Sequence, residues 1–480
     1  MAGKALKRPE FHLAEAIHMS RAVSTTSHAR KIVIIGLGTG GLYASRAASR
    51  VDRKAEISII EKRDYDMFSP CGLPYAIEGK VESFDDLKHS VPVTRQLKKL
   101  IKHEAISIDT NAKRVKVKNL ESGETSWLDY DSLVIATGSN PVILPIPGAE
   151  EFLGRGVHVV TDPENAKALK DDALKSKRAV VVGGGAIGLE IAFALKELGL
   201  EVWVTKRSQP PFPRNLDPDM GEVIREYLES KDLHILFGKG IDRINGSERV
   251  ESVEIAGETI PTDIVVMAVG VRPESRIAVE AGLKHERGAI ITDEKMETSV
   301  ENVYAVGDCV MSHSGVDGEP INIALATAAF KQAVVAGVNA AGGEAFYDGG
   351  LGTFVSYIGE LEIACTGYNS EIAERHGFKV MTGRANMQVK PTWMPGTKDI
   401  SVKLVIDAET GRILGGQAIG EEGAAWRVNM VALGIKKGMG IEEFSTIELA
   451  YCPAVSDLYD PLLVAADVAL RRFTRSKQRG

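Results

Sequence analysis

The chain has 480 residues, 44% hydrophobic and 26% charged, with 58 basic and 65 acidic side chains and a formal charge of −7. It is too long for one ordinary core, so two or three domains are expected, and its acidic balance gives no reason to expect a nucleic-acid partner. Its four Cys (71, 309, 365 and 452) form neither a disulfide framework nor a CxxC pair, so no metal is expected and a reducing, cytoplasmic location fits.

Residues 1–30 are a mixed, partly basic N-terminal extension without a signal-peptide run. Order is expected from Lys31. KIVIIG (31–36) is an apolar strand ending in glycine; a helical pattern follows to Arg50, then a second apolar run, EISIIE (56–61). This is a β-α-β unit. The grammar recurs roughly 150 residues later as RAVVVGGG (178–185), a helix to Leu198 and EVWVTK (201–206), an internal duplication. The most apolar window, Ala179 to Leu195, contains three consecutive glycines and Glu190, which argues against a membrane span. LVIATGSNP (133–141), IVVMAVGVRP (264–273) and VYAVGD (303–308) are further buried strands that end in turns. Beyond about Gly349, strands such as VKLVID (402–407) are expected to alternate in and out, and GRILGGQAIG to form a hairpin. The last segment, DPLLVAADVALRRF, is helical, and the basic ending (Arg471, Arg472, Arg475, Lys477, Arg479) is expected to be a solvated tail.

Each duplicated unit carries a dinucleotide loop. In the first, Gly36 makes the tight turn, Gly38 lets the backbone approach a pyrophosphate and Gly41 permits close helix–strand packing. The amide groups and positive end of the next helix then face the phosphates. Glu61, closing the second strand, is placed to accept ribose hydroxyl protons. In the second, Gly183, Gly185 and Gly188 take the same roles, with Glu190 just inside the helix. Where an acid would select NADH, Lys206 and Arg207 stand instead, which suits a 2′-phosphate and favours NADPH over NADH. The competing reading makes both cations solvated loop charges. Two nucleotide sites in one chain imply a hydride relay, with FAD the natural receiver and Asp308 near its ribityl chain.

Cys71, in Ser-Pro-Cys-Gly-Leu-Pro-Tyr (69–75), is expected at a helix N-terminus, where the dipole stabilises a thiolate. Taken alone it reads as a packing thiol; beside a flavin site it reads as a redox centre.

These motifs, in this order from Lys31 to about Arg471, resemble the pyridine nucleotide–disulfide oxidoreductase family. The resemblance implies an α/β fold with two Rossmann-like domains and a C-terminal α+β dimerisation domain. FAD binding falls to 31–150 and 277–345, NAD(P)H binding to 151–276 and dimerisation to 346–480. It adds Lys62, Thr137 and Gly138 to the first nucleotide site and Gly270 to the second. The single Cys in CGLPY is similar to the branch of coenzyme A disulfide reductases, persulfide or polysulfide reductases and NAD(P)H oxidases; the two-cysteine branch has a second Cys where Ala76 stands.

Oxidases and peroxidases of that branch carry a His in the first glycine loop, where this chain has Thr39. Coenzyme A disulfide reductases carry a late Tyr, matched by Tyr451, which reaches the partner's active site in a homodimer. Met394 and Pro70 depart from that group's second Tyr and its Asn. Cys452 stands where two-cysteine relatives have their acid–base His; it is read as a second redox thiol, the competing reading being a bland small residue where the branch usually has Ala. Cys309 and Cys365 read as packing thiols. The implied activity is FAD-dependent NADPH reduction, with NADH the alternative, of a small disulfide, persulfide or polysulfide. The competing readings are an NAD(P)H oxidase or peroxidase cycling Cys71 through sulfenic acid, and a flavoprotein redox sensor. No rhodanese-like domain is expected after the interface domain.

Overall fold

The computed structural model describes residues 29–479; the extension before residue 29 lies outside them. Both expected units form five-stranded parallel sheets. In the first, the strand order is 303–305, 132–135, 31–35, 56–61, 97–101. In the second it is 157–158, 264–267, 178–182, 201–206, 234–237. The central strands Lys31–Ile35 and Arg178–Val182 are buried after their first residue, as parallel strands covered on both faces should be.

The duplication runs deeper than the glycine loops. In each unit a three-stranded antiparallel meander, 103–129 or 241–261, lies between the last outward strand and the strand that returns to the centre. A two-stranded ribbon, Ser139–Pro141 against Val271–Pro273, ties the units together.

The C-terminal unit is a five-stranded antiparallel sheet in the order 354–358, 361–367, 413–420, 399–407, 380–388. Two expectations fail here. Asp399–Asp407 does not alternate: all but its first residue are buried, because helices cover the sheet, Pro461–Arg479 among them. GRILGGQAIG is not a hairpin but contributes one strand, Ile413–Gly420. Its paired glycines are there for packing: a Cβ on Gly415 would lie 1.9 Å from the Tyr368 carbonyl oxygen, and one on Gly416 would meet the Val431 side chain at 2.8 Å. The basic ending is solvated, as expected, but it is helix rather than tail. The last helix runs through it, Arg472 Nη1 donates to Thr382 O (2.8 Å) and Lys477 Nζ to Glu409 O (2.7 Å).

No helix among the described residues is long and apolar enough to cross a membrane.

Candidate active site

The two glycine loops superpose in logic, residue for residue. Gly36 has φ +100°, and a Cβ there would lie 2.3 Å from Ala136 O; Gly183 has φ +137°, with Ala268 O at 2.1 Å. Both need glycine for conformation and for space. Gly41 and Gly188 pack so tightly that a Cβ would come within 1.9 and 2.3 Å of the Gly36 and Gly183 carbonyl oxygens. At Gly38 and Gly185, by contrast, nothing lies within 4 Å of the Cβ position. Each is the N-cap of its helix, without a side-chain cap. An open concavity against uncapped amide groups is what a pyrophosphate requires, so both loops fit a dinucleotide.

Glu61 is buried and doubly engaged. Oε2 accepts from Leu37 N (2.8 Å) and Arg63 Nη2 (2.7 Å), and Oε1 from Arg63 N (3.0 Å) and Nε (2.8 Å). These bonds fill the roughly four acceptor positions of a carboxylate. Glu61 therefore anchors the glycine loop, and a ribose hydroxyl must exchange with one of these donors. Lys62 is exposed. Arg63, absent from the sequence reading, also donates to Leu37 O (3.3 Å) and Asp66 O (3.2 Å) and lies over the Tyr65 and Phe68 rings, 5.3 Å from each. It joins the glycine loop to the segment leading into Cys71.

Thr137, Gly138 and Gly270 lie where the units are strapped together. Thr137 Oγ1 donates to Glu274 O, Glu274 N to Gly138 O (2.9 Å), and Val142 N to Gly270 O (3.0 Å). Ser139 Oγ donates to Asp308 Oδ2 (2.8 Å). Burial raises the Asp308 carboxyl pKa, and the Ser139 bond opposes the rise.

Cys71 lies in a single 3₁₀ turn, Pro70–Gly72, that runs into the short helix Leu73–Glu78. It is exposed, yet the thiol pKa is raised by the protein around it: desolvation acts first, then the charge of Glu190, with Asp308 adding to it. Its own backbone N–H opposes the rise. The surroundings thus act against the expected dipole-stabilised thiolate: desolvation first, then two carboxylates, oppose what a six-residue helix offers. Cys309 and Cys365 are buried, and burial raises both thiols, Cys365 to about 12.

Glu190 is held by Ser356 of the C-terminal sheet, whose Oγ donates to Oε1 (2.6 Å). Burial raises its carboxyl pKa. With Pro74, Tyr75, Phe193, Tyr227 and Tyr357 it lines a cavity of about 370 Å³. Lys206 is partly buried, its ammonium pKa lowered by desolvation, and Nζ donates to Pro210 O (2.7 Å), a carbonyl rather than a carboxylate. Arg207 is exposed. Tyr451 and Cys452 are exposed on the segment before the last helix, and neither is among the groups acting on the Cys71 thiol.

Residues 30–333 match the family model described as pyridine nucleotide-disulphide oxidoreductase, and 354–460 match that family's dimerisation domain. The chain belongs to the pyridine nucleotide–disulphide oxidoreductase family. It is an FAD-dependent, NAD(P)H-using oxidoreductase. It is 37% identical to an NADH oxidase of Methanocaldococcus jannaschii, over 92% of this chain and 99% of the relative. It is 34% identical to a CoA-dependent NAD(P)H sulfur oxidoreductase of Pyrococcus furiosus, over 92% and 99%. The solved NAD-dependent persulfide reductase from A. fulgidus superposes with a TM-score of 0.88 at 33% identity, covering 93% of this chain and 84% of that one.

Proposed function

We propose that this enzyme reduces a low-molecular-weight disulfide, persulfide or polysulfide through Cys71, as a homodimer. The observation that carries this reading is the position of the thiol: Asp308 from the first nucleotide unit and Glu190 from the second both act on it. Groups from both nucleotide units thus act on one thiol, which supports Cys71 as the point to which they would deliver electrons.

The residues that would hold FAD are the loop of Gly36, Gly38 and Gly41, with Glu61 and Asp308; those that would hold the nicotinamide coenzyme are Gly183, Gly185 and Gly188, with Lys206 and Arg207. Bound there, FAD would supply hydride acceptance from the reduced nicotinamide and two electrons for sulfur. The Cys71 thiolate attacks one sulfur of the substrate; the S–S bond breaks, a mixed disulfide forms on Cys71, and the first thiol leaves with a proton. Two-electron reduction of that mixed disulfide releases the second thiol and restores Cys71. Tyr451, supplied by a second copy of the chain, protonates or positions the leaving thiol, with Cys452 beside it as a second redox thiol. The matched dimerisation domain and the exposure of Tyr451 support its delivery in trans. Lys206, a partly buried ammonium whose hydrogen bond among the described residues is to a carbonyl, supports NADPH, because a 2′-phosphate would give it an anionic partner.

The test is an anaerobic dithionite titration of enzyme first treated with excess disulfide and desalted. An uptake of about four electrons per flavin supports the reading, since a sulfur couple then works beside the flavin; about two overturns it. The relative named NADH oxidase favours a second reading, in which Cys71 cycles through sulfenic acid. Thr39 opposes it, because a hydroxyl cannot do the acid–base work of the His found there in family oxidases. Strictly anaerobic turnover with a disulfide separates the two.

A further inference from the structure

The segment from Ala450 to Asp460 carries Tyr451 and Cys452, and it is held from within. Ser456 is 4% exposed; its hydroxyl donates to Ala450 O (3.0 Å) and accepts from Cys452 N (3.4 Å), on either side of Tyr451. The backbone closes the same turn, with Val455 N and Ser456 N both donating to Cys452 O at 2.8 Å. At the far end Asp460, 2% exposed, meets fully buried Arg427 in a two-pronged pair: Nε to Oδ1 (3.0 Å) and Nη2 to Oδ2 (2.7 Å). Arg427 also donates to Gly423 O (2.9 Å), and its guanidinium lies 4.3 Å from the Trp426 ring. Between these anchors the apolar side chains point outward: Val455 is 65% exposed, Leu458 61% and Tyr459 71%.

A loop with free ends and apolar residues would collapse onto its own domain. This one is pinned by two buried polar anchors while presenting an apolar rim, the arrangement of a preformed element that completes its burial against another surface. The segment lies inside the stretch matched to the dimerisation domain, residues 354–460, which favours a second copy of this chain as that surface.

We propose that Ser456 is a positioning residue: it fixes the Tyr451–Cys452 turn in the single chain, so that both side chains reach the second copy's Cys71 already oriented. The inference rests on the proposed role of Tyr451. A loose turn would lose part of its orientation on every approach, and placement errors of about 1 Å are enough to cost ~100-fold in rate.

The test compares Ser456→Ala, Ser456→Thr and Tyr451→Phe as flavin-loaded dimers. Turnover is measured anaerobically with a small disulfide, and with ferricyanide, which takes electrons without Cys71. Deuterium exchange is followed over residues 450–456. Ser456→Ala is expected to lower disulfide kcat at least about tenfold while ferricyanide turnover, dimer content and the KM for NADPH hold, with exchange rising over the turn. Ser456→Thr, which keeps the hydroxyl, restores both. Unchanged exchange in Ser456→Ala, or equal loss of both activities, overturns the proposal. If Tyr451→Phe alone leaves disulfide turnover intact, the assignment of Tyr451 falls, while the exchange measurement still decides whether Ser456 fixes the turn.

Discussion

Ser356 Oγ donates to Glu190 Oε1 across 2.6 Å, so a strand of the C-terminal sheet holds the carboxylate that follows the second glycine loop. The same carboxylate raises the pKa of the Cys71 thiol. The bond joins the second nucleotide unit to the C-terminal sheet, and the charge it holds acts on a thiol of the first unit.

Glu190→Gln removes a negative charge that disfavours the thiolate, so Cys71 should ionise more readily. The pH profile for iodoacetamide alkylation of Cys71 should move to lower pH. Ser356→Ala should act in the same direction but less, because losing a bond to the charged form makes Glu190 harder to ionise. A profile that stays put, or moves up, contradicts the assignment.

Gly36 and Gly38 should fail differently. Gly36→Ala strains a left-handed position against a carbonyl oxygen and should destabilise the fold by ~1–3 kcal/mol or more, seen as a lower thermal midpoint. Gly38→Val enters empty space: the midpoint of the apoprotein should hold while flavin content on purification collapses. Gly185→Val should leave the flavin bound and abolish nicotinamide coenzyme binding.

Coenzyme choice should lie in Lys206 and Arg207. Replacing either with Ala removes a charge-assisted bond worth ~1.5–3 kcal/mol, so NADPH should bind about tenfold or more weakly. NADH should change little. Titration of the oxidised enzyme with each coenzyme separates the effects, and equal weakening of both would assign these cations to the shared part of the ligand.

Arg427 and Asp460 form a fully desolvated pair. Arg427→Met leaves a buried carboxylate without its partner and should cost ~3–5 kcal/mol in urea unfolding, whereas Arg427→Met with Asp460→Leu should cost much less.

The parts of the site legible in the sequence were those carried by local pattern. Each glycine loop has its strand before and its helix after, so Gly36 to Gly41 and Gly183 to Gly188 announce themselves within a dozen residues. What local pattern cannot show is a bond across the chain: Ser356 meets Glu190 from 166 residues away, and Ser139 meets Asp308 from 169. The meanders are harder to see: RVKVKN (114–119) alternates in and out, but a short half-exposed strand carries little apolar signal beside the long buried runs. Gly415-Gly416 was misread as a turn because a glycine pair signals either a bend or a close approach, and only the neighbouring Tyr368 backbone and Val431 side chain decide between them. At Cys71 the local helix signal is opposed by burial and by two carboxylates that come from segments distant in sequence.

The central claim is that Cys71 carries electrons to a sulfur substrate, and the most direct measurement is strictly anaerobic NADPH oxidation by wild type and Cys71→Ser, each with a small disulfide and with ferricyanide. The account predicts that Cys71→Ser loses disulfide turnover by at least about a thousandfold, ~4 kcal/mol of transition-state stabilisation, and keeps ferricyanide turnover. Disulfide reduction that survives the loss of Cys71 would contradict it.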